Sequence, residues 1–154
     1  MSNQHTNGER AAICFAFWLA AMLLFLGIVG CGSSGADYAC GAPATVGFHP
    51  PEGGVTRGLA SCGHIDIWAL PGTPQSVHAL IHEIGHLMGK GHTPHGYMRA
   101  VWDFSQHLYP AAPAPGDLAA PNQPITLYSD HPDVALAAAF WNAALGRKVV
   151  TVIP

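Results

Sequence analysis

The sequence has little charge and very little positive charge. Lys and Arg total six and Asp and Glu total nine, so that charged residues make up 10% of the 154 residues and the formal net charge is −3. Neither end of the chain carries a run of like charge. Because proteins that bind nucleic acid present a basic patch to the phosphates, we expect no nucleic-acid partner. The scattered carboxylates likewise do not suggest a calcium site, which needs several oxygen ligands together.

The chain has one long hydrophobic run, and it lies at the N-terminus. Residues 11–30 read AAICFAFWLAAMLLFLGIVG and follow a polar stretch. Such a position is typical of a targeting segment. The alternative is an uncleaved transmembrane anchor, because about twenty apolar residues are long enough to span a bilayer. Both interpretations place the rest of the chain outside the cytoplasm.

Cys31 follows this run directly, after the residues Ile-Val-Gly. That pattern resembles a bacterial lipobox, in which the cysteine is lipidated and becomes the mature N-terminus. The Gly-Ser-Ser-Gly that comes next is typical of a flexible tether. The resemblance implies a signal peptide at 1–30, a lipidated cysteine with its tether at 31–44, and a lipid-anchored protein of the bacterial cell envelope. In a Gram-negative cell the anchor would lie in the outer membrane.

Cysteine is scarce, and export would leave only one pair of cysteines for the folded part. Cys14 lies inside the hydrophobic run and Cys31 is the candidate lipidation site, so that Cys40 and Cys62 remain. In an oxidising compartment this pair predicts a disulfide bond. A loop of about twenty residues closed in this way stabilises the folded state by roughly 3 kcal/mol. Two buried free thiols are the alternative.

Histidine is abundant by comparison, and residues 82–92 concentrate it in the sequence HEIGHLMGKGH. His82 and His86 are four residues apart, so a helix places them one turn apart on the same face. Gly89 predicts the end of this helix, because glycine accepts positive φ. The chain can then turn so that His92 becomes a third ligand. Three neutral nitrogens and one open position are typical of a catalytic zinc site, whereas a structural zinc has four protein ligands.

Glu83 completes the pattern, because it follows the first histidine and can reach water at the metal without binding the metal. An ordinary amphipathic helix that carries histidines is the alternative. In a chain of this composition, however, the five fixed positions should co-occur by chance about once in ten thousand sequences. The pattern therefore favours a zinc site.

Residues 82–92 resemble the signature H-E-x-x-H-x-x-G-x-x-H of the metzincin zinc metalloproteases. Metzincins also have a Met-turn, a downstream methionine that forms an apolar floor beneath the zinc ligands, and Met98 stands in the corresponding place. The short gap of six residues after His92 is similar to that of the matrixin branch and its small bacterial relatives. The resemblance implies one catalytic Zn²⁺ on the three histidines, Glu83 as the general base, and a peptide or protein as the substrate.

Three short segments before the motif are strand candidates. They are residues 45–49, 55–60 and 64–70. The last, HIDIWAL, has the alternating pattern of a half-buried strand. In metzincins an antiparallel edge strand just before the active helix binds an extended substrate by strand addition, and this segment has the matching position. The resemblance therefore implies substrate contacts from Ile65, Asp66, Ile67 and Trp68. An ordinary sheet strand is equally compatible with the pattern.

The active helix should begin near residues 73–76, with Ser76 as a candidate cap, and run to about Lys90. The region 110–124, PAAPAPGDLAAPNQP, has low complexity and indicates a loop.

A last helix is expected after Asp130, its candidate cap, with Pro132 in its first turn and the alanine-rich stretch 134–145 as its body. Gly146 ends it. The tail at 149–153 is β-prone, but the sequence assigns it no partner.

Together these elements predict an α+β fold. The resemblance implies a reduced metzincin-like (zincin) domain over residues 45–154, with a small mixed sheet whose edge strand packs on the active-site helix, a Met-turn and a C-terminal helix. Only about 45 residues separate Cys31 from the active helix, and none of them forms an amphipathic helical pattern. The sheet should therefore be shorter than is usual in the family.

The function that we expect is that of a monomeric, membrane-tethered zinc endopeptidase outside the cytoplasm, held by its lipid or by its N-terminal helix. A non-catalytic zinc- or peptide-binding lipoprotein is the main alternative. The shortened sheet favours this alternative, whereas Glu83 argues against it, because zinc binding alone does not require that carboxylate. Hydrolysis of a non-peptide amide is a third alternative, with which the motif is also compatible.

Overall fold

The computed structural model describes residues 43–51, 53, 56–99 and 112–154. The chain divides into two units, Met1–Gly30 and Cys31–Pro154, and all the described residues belong to the second. No helix in the described part is long and apolar enough to cross a membrane. The predicted signal segment and the predicted lipidation site Cys31 lie outside the described residues.

Five strands and three helices make up the described part of the chain. In chain order they are β1 (Ala44–His49), β2 (Arg57–Ser61), β3 (His64–Trp68), α1 (Pro74–Leu87), α2 (Pro115–Leu118), β4 (Ile125–Tyr128), α3 (Pro132–Ala144) and β5 (Val150–Ile153). The strands form one mixed sheet in the order β2-β3-β1-β4-β5. β2 and β3 are antiparallel, and the other neighbouring strands are parallel. The predicted α+β class with a mixed sheet is therefore confirmed.

A two-residue turn, Cys62-Gly63, joins β2 to β3. Gly63 has a φ of 81°, which glycine adopts without the steric cost that a side chain would impose. Cys62 is disulfide-bonded. Its predicted partner, Cys40, lies outside the described residues, so the pairing stays a prediction.

The prediction that residues 64–70 form the edge strand is wrong. β3 lies inside the sheet, because the turn folds β2 back along one side of it while β1 pairs with the other side. Ile65 and Ile67 are fully buried core residues, so neither can contact a peptide added at the sheet edge. Side chains alternate along a strand, and Asp66 and Trp68 therefore point to the opposite face. The antiparallel edge strand among the described residues is β2.

Helix α1 begins with Pro74, at a position where the missing N–H group costs nothing. Its cap is Thr73, whose side chain accepts the backbone N–H of Ser76 at 3.3 Å. The predicted cap, Ser76, is instead buried in the first turn. The helix ends at Leu87, and Gly89 then has a φ of 90°. The helix thus ends just before Gly89, the residue that was predicted to terminate it.

Helix α3 has Pro132 in its first turn, as predicted, but its cap is His131 and not Asp130. The Nδ1 atom of His131 accepts the backbone N–H of Asp133 at 3.2 Å. An imidazole nitrogen can accept this bond as a carboxylate would, and His131 is the residue directly before the proline.

The core lies between the sheet and the two long helices. Trp141 of α3 is fully buried, and its indole N–H donates to the carbonyl of Ile81 in α1 at 2.8 Å. The C-terminal tail finds its partner in the sheet, where β5 pairs in parallel with β4. Burial of the large apolar side chains supplies most of the stabilising free energy. The largest of these include Ile65, Ile67, Leu80, Ile84, Met88, Leu127, Val134 and Val149.

Candidate metal centre

The structure brings the three predicted ligands together. His82 and His86 lie on the buried face of α1, and His92 follows the end of the helix at an exposed position. One ligand atom from each of the three histidines lies within 4.8 Å of the other two. Among the residues that the structure describes, these three are therefore close enough to hold one metal ion.

Backbone carbonyls fix the orientation of the two helical imidazoles. The Nδ1 atom of His82 lies 2.7 Å from the carbonyl oxygen of Tyr97, and the Nδ1 atom of His86 lies 2.9 Å from the carbonyl oxygen of Lys90. Because a carbonyl can only accept, each Nδ1 atom carries the proton, and each neutral ring keeps a lone pair on Nε2. The two Nε2 atoms lie 3.0 Å apart. Two lone pairs that face each other at this distance fit a cation between them, which is the donor arrangement of a metal site.

Burial keeps these histidines neutral. Loss of solvation, together with the neighbouring His86, lowers the pKa of His82 to about 3. Loss of solvation also lowers the pKa of His86 to about 4, and it lowers the pKa of His92. A metal ion binds the neutral imidazole, so at neutral pH it would not compete with protons at these nitrogens.

We expect the metal-free protein to lose stability as the pH falls below about 6.5. In the unfolded chain both helical histidines take up protons near the ordinary value of 6.5, whereas the folded protein holds the pKa of His82 at about 3 and that of His86 at about 4. Between the folded and the unfolded pKa values the unfolded state therefore binds more protons than the folded state, so acidification lowers the free energy of unfolding. Urea unfolding of the metal-free protein at several pH values between 7.5 and 5 measures the slope of the free energy of unfolding against pH. The variant His86→Gln should show a shallower slope, and a stability that rises on acidification would contradict the prediction.

The third histidine is placed by two turns. At the end of α1, the N–H of Lys90 donates to the carbonyl of Gly85 at 3.0 Å. After His92, the N–H of Thr93 donates to the carbonyl of Met98 at 2.8 Å and closes the turn 93–98. The ring centroid of His92 lies 4.8 Å from that of His86. Hydrogen bonds on both sides of His92 thus bring it back toward the helix.

Met98 lies against the helix segment that carries both histidines. Its side chain is fully buried and fills the space beside Gly85, where an added Cβ would overlap the methionine sulfur and would lie 3.2 Å from Trp141. Glycine is therefore needed at position 85 so that Met98 can approach the helix closely, although the H-E-x-x-H motif allows any residue there. The role of Met98 as a Met-turn methionine stays a prediction.

Glu83 is almost completely buried, with 2% of its surface exposed. It packs against β2, where a Cβ on Gly58 would lie 2.6 Å from the Cγ atom of Glu83 and 2.8 Å from its Cδ atom. Gly58 thus leaves the space that the glutamate occupies. Sequence reasoning missed Gly58, although an isolated glycine in a strand is a known sign of a close approach.

A second residue that sequence reasoning missed is Asp117. It lies in α2, inside the region predicted to be a loop, and it is fully buried. Its carboxylate accepts the backbone N–H groups of Tyr97 at 2.8 Å, Met98 at 3.0 Å and Ala114 at 2.8 Å. Gly96, with a φ of 85°, leaves room for it, since an added Cβ would collide with the carboxylate. Asp117 therefore holds the turn 93–98 in place.

Lys90 provides the backbone carbonyl that orients His86, and its own side chain is anchored by hydrogen bonds. It is 4% exposed, and its ammonium group donates to the carbonyl of Ala119 at 2.8 Å, to the carbonyl of Pro121 at 3.3 Å and to the side chain of Asn122. These bonds use all three donors of the ammonium group. They anchor the residue whose own carbonyl accepts the Nδ1 proton of His86.

The remaining predicted site residues lie elsewhere. Asp66 bonds His49 at 2.6 Å and His64 at 3.0 Å, and Trp68 stacks on His49 with 5.0 Å between ring centroids. Both belong to the sheet face that points away from the buried Ile65 and Ile67. The structure does not bring them to the three histidines of the helix and turn.

Comparisons of the chain with protein-family models, with curated proteins and with solved structures found no match. What the chain shares with zinc centres of the H-E-x-x-H type is the group of three histidines close enough to hold a metal ion.

Proposed function

We propose that the protein is a zinc-dependent endopeptidase of the metzincin type, tethered to a bacterial membrane outside the cytoplasm. One observation carries the proposal. The Nε2 atoms of His82 and His86 face each other at 3.0 Å while both Nδ1 protons are held by carbonyls. A third histidine and the buried Glu83 accompany them.

The donor set fits zinc. Three neutral imidazole nitrogens leave a coordination position open, which is typical of catalytic zinc. His82, His86 and His92 would hold the ion. When bound, Zn²⁺ supplies a Lewis acid that polarises a carbonyl and lowers the pKa of water.

Glu83 would act as the general base and then as the general acid. Its carboxylate takes a proton from the attacking water and delivers it to the nitrogen of the leaving amine. The side chain is confined between α1 and Gly58 of β2. This confinement limits the positions that the carboxylate can take, and orientation of that kind contributes to the rate.

The edge strand supports a peptide as the substrate. Among the described strands, β2 pairs with β3 alone, so its other side is an edge of the sheet. An extended peptide can add to such an edge through main-chain hydrogen bonds, with little demand on its sequence. Because Gly58 of this strand contacts Glu83, a peptide on β2 would lie next to the proposed base.

The proposal is tested by removing and restoring the metal. The full chain, made in an oxidising compartment and solubilised in detergent, is incubated with a mixture of unfolded proteins, and the new termini are identified by mass spectrometry. We expect cleavage that a zinc chelator abolishes and that equimolar Zn²⁺ restores. A protein that binds zinc and makes no cuts would favour the binding lipoprotein instead. A protein that binds no zinc would refute the metal centre.

A further inference from the structure

Beside the three histidines and Glu83, the metal centre has a fully buried carboxylate, that of Asp117. Asp117 is not part of the H-E-x-x-H motif. Its side chain accepts hydrogen bonds from three backbone N–H groups. Two of these belong to Tyr97 and Met98, which form the end of the turn behind the metal centre. A buried carboxylate with several such bonds is costly to replace, because each donor would lose its partner.

One peptide group connects Asp117 to the first metal ligand. The peptide between Tyr97 and Met98 donates its N–H to the Oδ1 atom of Asp117 at 3.0 Å. The carbonyl of the same peptide accepts the Nδ1 proton of His82 at 2.7 Å. A charge on the N–H side of a peptide polarises its carbonyl, and hydrogen bonds in such a chain strengthen one another.

We propose that Asp117 is a positioning residue of the metal centre, which acts on His82 through the Tyr97–Met98 peptide. In many metal sites a carboxylate accepts the outer N–H of a ligating histidine directly. Here a peptide group stands between the two. The arrangement fixes the tautomer and direction of the His82 ring and increases the donor strength of its Nε2 atom.

The same carboxylate also restrains the turn that follows the third ligand. The hydroxyl of Thr93, the residue after His92, donates to the carbonyl of His95 at 2.6 Å and lies 3.4 Å from the Oδ1 atom of Asp117. The N–H of Thr93 donates to the carbonyl of Met98, whose own N–H is bonded to Asp117. Asp117 thus restrains both His82 in the helix and the start of the turn that follows His92. The inference rests on the proposed zinc site and deepens it.

The test compares Asp117→Asn with Asp133→Asn in the full chain. Asp133 is the matched control, since it is also buried and accepts the N–H of Gly72 at 2.8 Å and the hydroxyl of Ser76. Three quantities are measured: zinc affinity by competition with a chelator, the visible spectrum of the Co²⁺-loaded protein, and the stability of the metal-free form. We expect Asp117→Asn to weaken zinc binding by about 10- to 100-fold and to change the Co²⁺ spectrum. Asp133→Asn should lower stability and leave the affinity and the spectrum as in the parent.

A second variant keeps the proposal testable if Asp117→Asn does not fold. Asp117→Glu retains the charge but displaces the carboxylate, so it should bind zinc more weakly than the parent and change the Co²⁺ spectrum. Parent-like affinity in every Asp117 variant that folds, or an equal loss in Asp133→Asn, would overturn the proposal. A parent that binds zinc but cuts no peptide would remove the peptidase function alone, because the affinity comparison needs no activity. A parent that binds no zinc would overturn both.

Discussion

Glu83→Gln should lower the rate of cleavage at least about 100-fold and leave the metal in place. Glutamine has nearly the same shape as glutamate and fits the space that Gly58 leaves, but it cannot accept a proton from water. Loss of a general base typically lowers the rate by about 10²- to 10⁴-fold. The initial rate of cleavage of an unfolded protein and the zinc content per chain are measured on the same samples.

Asp130→Asn is the matched control for this variant. It makes the same acid-to-amide change at an exposed carboxylate before α3, so both the rate and the zinc content should stay as in the parent. If zinc-loaded Glu83→Gln cleaves at the parent rate, Glu83 is not the base, and the proposed mechanism fails at that step.

The three histidines were predictable because one short segment encodes them. The spacing of His82 and His86 is fixed by a single helix, and Gly89 marks the end of that helix. His92 then needs only a local turn. Each of these relations operates over ten residues or fewer, which is the range where sequence pattern determines geometry.

The supporting residues were not predictable, because their contacts join distant parts of the chain. Asp117 bonds Met98 from 19 residues away, and Lys90 bonds Ala119 from 29 residues away. A lone aspartate in a segment rich in proline and alanine looks like part of a loop. Its role depends on the packing of α2 against the turn 93–98, which no local pattern specifies.

The misplaced edge strand has a similar cause. The alternation in residues 64–70 correctly indicated a strand, but alternation says nothing about the neighbours of a strand. The neighbour of β3 on one side is determined by the Cys62-Gly63 turn, which folds β2 back onto β3. The antiparallel edge strand among the described residues is β2, the strand that carries Gly58.

His86→Gln should have the opposite effect to Glu83→Gln on the metal. It removes one of the two facing Nε2 atoms, while the side-chain amide can still donate to the carbonyl of Lys90. Loss of an outer partner of a ligand alone costs about 10- to 100-fold in metal affinity, so loss of the ligand should weaken zinc binding by more than about 100-fold. Competition with a chelator measures the affinity, and the cleavage assay should show no activity at equimolar zinc.

His95→Gln is the matched control, because His95 is exposed in the turn 93–98 and is not one of the three grouped histidines. It should keep the zinc affinity and the activity of the parent. The pair of results separates the candidate functions, since a zinc-binding lipoprotein would respond to His86→Gln and be indifferent to Glu83→Gln. A peptidase must lose activity in both variants and zinc in only one of them. Equal zinc affinity in His86→Gln and the parent would place the metal elsewhere and refute the centre proposed for this chain.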